Sequence, residues 1–315
     1  MELIHYKKIP ASVKASVVSV GNFDGVHRGH ELLIREVVKR GAAGRLTTVI
    51  VTFEPHTRSV VAPSGMQTVL STLEEKRVLI ERLGVEFLAW IPFDREFSEL
   101  SSLDFVKTVL RDRLQAREWV MGEGHTFGKN HAGSKNVLQS AVDKNHITIL
   151  PLSTLSLQDT VVSSTEIRKK IMDGGLEQAV ELLGHPYLVI ARRISGEKKG
   201  TQLGFPTLNF ARPSVTKVLP PPGVYAAELA YREKTWRGAF YFGNCPTFSQ
   251  RDFHCEFHEF GYTGEVPQEG EEARLWLHAM VRRDESFTGT GALTEQMKKD
   301  VTTIQHFFAG EGLCP

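Results

Sequence analysis

The sequence predicts an α/β domain built on a parallel sheet, followed by a small antiparallel β-barrel that ends in a helix. Three observations carry that expectation. Up to residue 184, β-branched runs alternate with amphipathic helical stretches, as when helices connect parallel strands. From His185 onward helical periodicity disappears and short β-runs alternate with turn clusters, the pattern of a small barrel. At residues 21–30 one strand passes through glycines straight into a helix, which places a helix N-terminus at the carboxyl edge of a sheet. A domain of residues 1–184 and a second of residues 185–315 are therefore expected, a comfortable division for a chain of 315 residues.

In chain order, the first strand is expected over residues 15–20. The helix after it spans 31–40, with Leu33, Ile34, Val37 and Val38 on one face. Residues 46–53 form the next β-branched run and end at Glu54-Pro55-His56. Thr72-Leu73-Glu74-Glu75 is a capping box; it starts a helix with Leu79, Ile80 and Leu83 inward and a stop at Gly84. A strand over 86–91 precedes a helix over 103–114, whose apolar stripe is Phe105, Val106, Val109 and Leu110. Two short strands, 118–121 and 146–150, complete the sheet. Helices over 164–173 and 176–183 stop at Gly174-Gly175 and Gly184. In the second part, β-runs fall at 187–190, 223–229, 238–242 and 274–277. The acidic stretch 265–272 reads as a solvated loop, and a helix over 293–308 closes the chain.

Hydrophobic content of 41% and charged content of 24% describe an ordinary globular protein, and a net charge of +1 gives no electrostatic pull toward nucleic acid or an anionic membrane. Cys245, Cys255 and Cys314 are too few and too irregularly spaced for a disulfide framework or a zinc site. No apolar signal core opens the sequence and no run reaches membrane-spanning length. A cytoplasmic protein is expected, a monomer or weak homo-oligomer, with small molecules rather than nucleic acid or membrane as partners.

The chemistry concentrates first at Gly21-Asn22-Phe23-Asp24-Gly25-Val26-His27-Arg28-Gly29-His30. A helix N-terminus offers backbone N–H groups and the positive end of the helix dipole to a phosphate. Gly29, without a Cβ, admits a triphosphate close to the backbone. His27 and His30 on either side can donate to the charge that grows on phosphate oxygens during nucleotidyl transfer. The His-x-Gly-His pattern in this setting resembles the signature of the nucleotidyltransferase superfamily. Ser163-Ser164-Thr165-Glu166-Ile167-Arg168 puts hydroxyls at a helix start, with the Arg168 fork a turn later suited to pyrophosphate oxygens. Alone, it reads as a good N-cap sequence. Thr52-Phe53-Glu54-Pro55-His56 ends its strand at the same sheet edge.

In the second domain, Gly200, Gly204 and Pro206 shape a turn ahead of Thr207-Leu208-Asn209, whose hydroxyl and amide oxygen are hard donors for Mg²⁺. Glycine-rich turns are common, and this segment is weak by itself. Glu256, on an alternating β-run, has the chemistry to take a proton from a hydroxyl nucleophile. A lone strand glutamate is more often a surface residue, so that assignment needs support from elsewhere.

Taken together and in this order, the segments at 21–30, 52–56, 163–168 and 203–209 resemble the bifunctional riboflavin kinase/FMN adenylyltransferases, the prokaryotic FAD synthetases, over nearly the whole chain. The family's Gly-x-Phe-Asp-Gly-x-His-x-Gly-His, Ser-Ser-Thr-x-Ile-Arg and Leu-Gly-Phe-Pro-Thr-x-Asn are each complete here. The resemblance implies a Rossmann-like N-terminal domain that transfers AMP from ATP to FMN, giving FAD and pyrophosphate. It implies a six-stranded barrel that phosphorylates riboflavin to FMN, with ATP as co-substrate and Mg²⁺ at both sites. Nucleotide binding then falls to Gly21, Phe23, Asp24, Gly25, His27, Gly29, His30, Ser163, Ser164, Thr165 and Arg168 in the first domain. In the second it falls to Gly200, Gly204, Pro206, Thr207 and Asn209. By the same resemblance Thr207 and Asn209 take the metal, and Phe53, Pro55, His56 and Gly122 meet the flavin. His27, His30, Arg168 and Glu256 are the implied catalytic residues.

The chain departs from the pattern in places. The family commonly reads Gly-x-Asp-Phe-x-Phe-Gly after its fourth long strand; here residues 122–128 read Gly-Glu-Gly-His-Thr-Phe-Gly, and His131 stands in an arginine's place. Thr57 replaces a proline after His56, Glu259-Phe260-Gly261 replaces Leu-Asp-Phe, and an Arg-Gly-Arg phosphate loop is reduced to Lys199-Gly200-Thr201. The kinase half thus departs further than the transferase half. Three alternatives stay open: a barrel that binds flavin without phosphorylating it, a sensor that turns nothing over, and a transferase acting on another phosphate acceptor such as nicotinamide mononucleotide.

Overall fold

The computed structural model describes residues 1–61, 68–122, 135–153, 155–157, 160–196, 199–244, 253–260 and 265–311. It divides into two compact units, Met1–Glu166 and Ile167–Pro315. The first holds β1 (Glu2–His5), β2 (Ser16–Val20), α1 (Arg28–Gly44), β3 (Thr47–Glu54), α2 (Thr57–Val61), α3 (Leu73–Glu81) and β4 (Phe87–Pro92). It continues through α4 (Arg95–Ser98), α5 (Ser102–Phe105), β5 (Ala116–Gly122), α6 (Lys135–Lys144), β6 (Thr148–Leu152) and the two-stranded ribbon β7 (Ser156–Leu157) and β8 (Thr160–Val161). Helix α7 (Ser164–Asp173) carries the chain into the second unit.

The strand order is β1-β4-β3-β2-β5-β6, and every neighbouring pair is parallel. Val17, Val18, Val49, Ile50 and Val51 are buried whichever face they point to, as a sheet covered on both sides requires. β2 lies where the strand order reverses, with β3 on one side and β5 on the other. That switch point is where an open α/β sheet receives its ligand.

Helix α1 is longer than the apolar periodicity predicts, because His27 caps it directly: the His27 Nδ1 accepts from the His30 N–H. Ile34, Val37 and Gly41 form its buried face, while Leu33 and Val38 are only half-buried. A Cβ on Gly41 would collide with the Thr48 methyl, so α1 rests on β3 as closely as glycine allows. The Thr72–Glu75 capping box forms both of its hydrogen bonds at the head of α3. The helix expected over 103–114 is divided: α5 gives way to a π-helical turn at Val106–Arg111, yet Phe105, Val106, Val109 and Leu110 are buried as expected. β1 has no counterpart in the sequence reading; it pairs Glu2 with Phe87 through His5 with Trp90.

The second unit contains α8 (Leu176–Leu183), β9 (Tyr187–Ile194), α9 (Lys199–Gln202), β10 (Thr207–Phe210), β11 (Gly223–Tyr231), β12 (Lys234–Gly243), β13 (His254–Glu259), β14 (Glu272–Arg283) and α10 (Thr290–His306). Its six strands close in the order β10-β13-β12-β11-β14-β9. Within the second unit α8 packs on β9 and β14. Leu176, Ala179, Leu182 and Leu183 are buried, and Glu177 accepts the Met280 N–H at 3.2 Å.

Inside the barrel, Phe240, Phe242 and Phe257 pack with Tyr225, whose ring stacks on Phe242 at 5.2 Å. On the outer face, Ile304 of α10 packs against Val224, Ala226 and Ala279. Arg282 of β14 reaches both carboxylate oxygens of the buried Asp300, at 3.1 and 3.0 Å. Among the described residues, no helix is long and apolar enough to cross a membrane.

Candidate active sites

The first site is built on the turn from β2 into α1. Phe23, Gly25 and Val26 all take left-handed backbone, at φ of 46°, 80° and 42°. That conformation is uncommon for any side-chain-bearing residue and an outlier for a β-branched one. Such strain persists where the surroundings over-determine it, and here they do. Asp24 Oδ1 accepts the Leu70 and Ser71 amides at 2.8 and 3.0 Å, and the Gly25 amide donates to the Ser71 hydroxyl at 2.8 Å. The Ser164 hydroxyl donates to the Asp24 carbonyl at 2.9 Å.

Phe23, Asp24 and Gly25, expected at the nucleotide, are buried and shape the turn. Phe23 lies against His30, ring centroids 5.1 Å apart. Beyond them the half-buried His30 stacks on the buried His27 at 3.6 Å, with 17° between their planes. Because His27 Nδ1 accepts a backbone N–H, its proton sits on Nε2, leaving that nitrogen as a donor. A Cβ on Gly29 would stand 3.3 Å from the His27 ring and 3.9 Å from the Val162 carbonyl. Residues 162–164 therefore border the same helix start. Ser163 caps α7 through the Glu166 N–H, and Thr165 is exposed beside it. Arg168 follows Ser164 by four residues in α7, one turn along.

The end of β3 is tied to the same turn. Asn22 donates to the Thr57 hydroxyl at 3.0 Å, accepts the Thr57 N–H at 3.3 Å, and its carbonyl accepts from Thr52. The Glu54–Pro55 bond is cis, Pro55 is exposed, and the buried His56 accepts the Arg58 N–H through Nδ1. Phe53, expected at the flavin, is buried near the end of β3 and packs against Phe93 and Phe97. Gly122 ends β5, beside β2 at the switch point. Residues 123–128 and His131, where the chain departs from the family pattern, lie outside the described residues, as do Cys245 and Cys314.

One charged residue here escaped the sequence reading. Lys76 of α3 is fully buried; burial pushes its ammonium below the usual lysine range, against the opposing pull of Asp24 and Glu54. Its position was legible in principle, since Leu79 and Ile80 stand three and four residues further on the same helix face.

The second site lies on the outer face of the barrel, where β10 and β13 pair Thr207 with His258 and Asn209 with Glu256. Thr207, Asn209 and Glu256 thus share a face, while Cys255 and Phe257 point inward. The Thr207 hydroxyl donates to Glu256 Oε2 at 3.1 Å, and His254 Nδ1 stands 3.8 Å from Glu256 Oε1. His258 donates from Nδ1 to the Pro206 carbonyl at 2.9 Å, and burial lowers its pKa. Gly200 and Gly196 are required by space: a Cβ on the first would strike the Phe205 carbonyl, and on the second the Asn209 amide. Gly204 turns left-handed, φ 85°, between α9 and β10. Arg193, unremarked in the sequence, donates to the Asn209 carbonyl at 3.0 Å. Burial pushes the Cys255 thiol up to about 12, so this cysteine is a packing residue.

Comparison with known proteins covers both domains. A family model described as FAD synthetase matches residues 9–166, and one described as riboflavin kinase matches residues 183–308. The bifunctional riboflavin kinase/FMN adenylyltransferase of Escherichia coli K12 is 30% identical over 299 residues, covering 95% of this chain and 94% of the relative. Those of Bacillus subtilis and Listeria monocytogenes are 31% and 32% identical, each covering 93% of this chain, and 93% and 92% of their own lengths. A crystal structure of a macrolide-efflux protein from Streptococcus pneumoniae matches with a TM-score of 0.80 at 25% identity, over 94% of this chain and 95% of that one. Two matched domain models in order and relatives aligned from end to end lead to one conclusion: the chain belongs to the bifunctional riboflavin kinase/FMN adenylyltransferase family, the FAD synthetases.

Proposed function

We propose that this FAD synthetase performs its two reactions at two separate centres, one in the first domain and one in the barrel. In the barrel, the riboflavin 5′-hydroxyl attacks the γ-phosphorus of ATP, giving FMN and ADP. In the first domain, an FMN phosphate oxygen attacks the α-phosphorus of a second ATP, giving FAD and pyrophosphate. Both steps are direct displacements, so positioning and charge stabilisation carry the catalysis.

At the first centre His27 donates through Nε2 and His30 stands stacked beside it, so two imidazoles meet the charge that develops on the α-phosphate. Ser163, Ser164 and Thr165 hold the nucleotide, and Arg168 takes the departing pyrophosphate. The Asn22–Thr57 bonds keep Pro55 and His56 against the turn, on the side where FMN enters.

At the second centre Glu256 accepts the hydroxyl proton as the riboflavin oxygen bonds to phosphorus. The observation that carries this half is the Thr207–Glu256 hydrogen bond with Asn209 beside it. It sets a carboxylate next to two neutral oxygen donors. Such a pair suits Mg²⁺, which takes hard oxygen ligands and leaves most of its octahedron to phosphate and water. Mg²⁺ held by Thr207 and Asn209 would neutralise charge on the transferred phosphate. A cytoplasmic location and a monomer or weak homo-oligomer belong to the same reading.

The test is product analysis by chromatography, with riboflavin and then FMN supplied beside Mg²⁺ and ATP. Formation of FMN from the first and FAD from the second is expected. FAD without FMN would reduce the barrel to a flavin-binding module, and neither product would make the protein a sensor.

A further inference from the structure

Thr207 and Asn209 stand on β10, directly after a turn, while Glu256 stands on β13, and one side chain of β13 reaches back to that turn. His258 follows Glu256 by two residues and so shares its outward face. Its Nδ1 lies 2.9 Å from the Pro206 carbonyl; a carbonyl only accepts, so the proton is on Nδ1. Pro206 is the last residue before β10, and Thr207 is the register partner of His258 itself. The imidazole meets Phe205 edge-on at 5.2 Å and Phe260 at 5.8 Å. One ring from the turn and one from beyond the end of β13 thus fix its plane. The turn also has bonds of its own. The Leu203 and Phe205 amides donate to the Gly200 carbonyl at 3.0 and 2.8 Å, and the Gly204 amide to Thr201 at 3.1 Å. Those bonds close the turn on itself. The β10–β13 ladder begins only at Thr207, so the His258 bond carries the tie between the strands one residue further, into the turn.

We infer that His258 is a positioning residue for riboflavin phosphorylation: through the Pro206 carbonyl it holds the glycine-bearing turn and the Thr207 hydroxyl in place against Glu256. The inference rests on the barrel being the site of FMN formation. β13 then serves the reaction twice, with Glu256 as the proton acceptor and His258 as the anchor of the segment that receives ATP. Without the anchor the turn keeps its internal bonds but is free to shift against β13, and the loss falls on ATP rather than on riboflavin.

The experiment uses the full-length protein, with FAD formation from supplied FMN as an internal control. His258→Phe keeps a ring between Phe205 and Phe260 but has no N–H. His258→Asn gives up the ring but carries an amide N–H at the position of Nδ1. For His258→Phe we expect the ATP KM of FMN formation to rise about tenfold, with the riboflavin KM and FAD formation as in the parent. For His258→Asn we expect an ATP KM close to the parent's, whatever its melting temperature. Amide hydrogen exchange, read without substrates, should quicken at Leu203, Gly204 and Phe205 in His258→Phe, while the amides of the β12–β13 ladder keep their parent rates. A parent-like ATP KM in His258→Phe overturns the inference, as does an ATP KM raised as much in His258→Asn as in His258→Phe. So does exchange that quickens throughout β12 and β13, which would make His258 merely structural. Should His258→Phe fail to fold, His258→Met decides: a parent-like ATP KM in that variant overturns the inference as well. A parent protein that makes no FMN from riboflavin and ATP would remove the kinase reading itself, whereas an active parent with an indifferent His258→Phe would remove only the role of His258.

Discussion

The two centres of this chain are assembled in opposite ways. In the first, His27 and His30 are three residues apart, and a short run of left-handed backbone at Phe23, Gly25 and Val26 aims them. In the second, Thr207 and Glu256 are 49 residues apart and meet only because β10 and β13 pair in one register. A one-residue slip there would turn Glu256 into the barrel interior and Phe257 out to solvent. The first centre therefore depends on local backbone geometry and its bracing, and the second on the integrity of a whole barrel.

Substitutions that separate the two activities test that contrast, and the largest effect should come from the barrel. Glu256→Gln keeps the shape and the Thr207 contact but cannot take a proton; FMN formation should fall by about 10²–10⁴-fold. FAD formation from supplied FMN should be unchanged. Riboflavin phosphorylation at the parent rate would remove Glu256 as the base. The mirror experiment is His30→Ala, which should lower FAD formation by about 10²–10³-fold and leave FMN formation alone. Equal loss of both activities in a folded variant would break the independence of the centres.

Asp300→Ala probes the barrel's dependence on its framework. It strips the partly buried Arg282 of its bidentate partner and should cost the barrel about 3 kcal/mol, near the low end for a broken buried pair because Arg282 is partly exposed and still reaches Glu285. In a denaturant titration the transition that follows barrel fluorescence should shift, with FMN formation lost alongside it. Smaller effects sharpen the comparison. Gly196→Ala pushes the Asn209 amide aside; the ATP KM for FMN formation should rise about tenfold, the worth of one good polar contact, with little change in stability. Gly29→Ala presses on the His27 ring at 3.3 Å and should slow FAD formation only several-fold. A larger loss than that of His30→Ala would show that the close approach at Gly29, rather than the imidazoles, governs the site.

The same contrast explains what the sequence disclosed. The turn at 21–30 was legible because its glycines and histidines are contiguous and lie between a recognisable strand and helix. The α3 capping box was legible for the same local reason. The strand roles of Thr207 and Asn209 were not, since β10 is four residues long and follows a glycine-rich turn that reads as loop. β1 was invisible: only Ile4 is buried in it, and its partner β4 lies some eighty residues away. Phe53 marks another limit: a run buried on both faces gives no periodicity to tell a core side chain from one at a ligand. Asp24 and Lys76 show a different limit. Their pattern places them in turn and helix, but that Asp24 holds the Leu70 and Ser71 amides and that Lys76 is fully buried are tertiary facts.

Strand β14 sits between β11 and β9, and β9 in turn pairs with β10. The last strand to be made is thus the one that joins the first of the barrel to its middle. During synthesis all six strands of the first sheet are complete by Leu152, so that unit can fold while the ribosome is still translating the rest. The barrel must wait for Glu272–Arg283, holding β9 and β11 with open edges in the meantime. Premature termination anywhere between residues 244 and 271 would therefore yield a chain with a finished adenylyl-transfer domain and a permanently unsealed, aggregation-prone remainder.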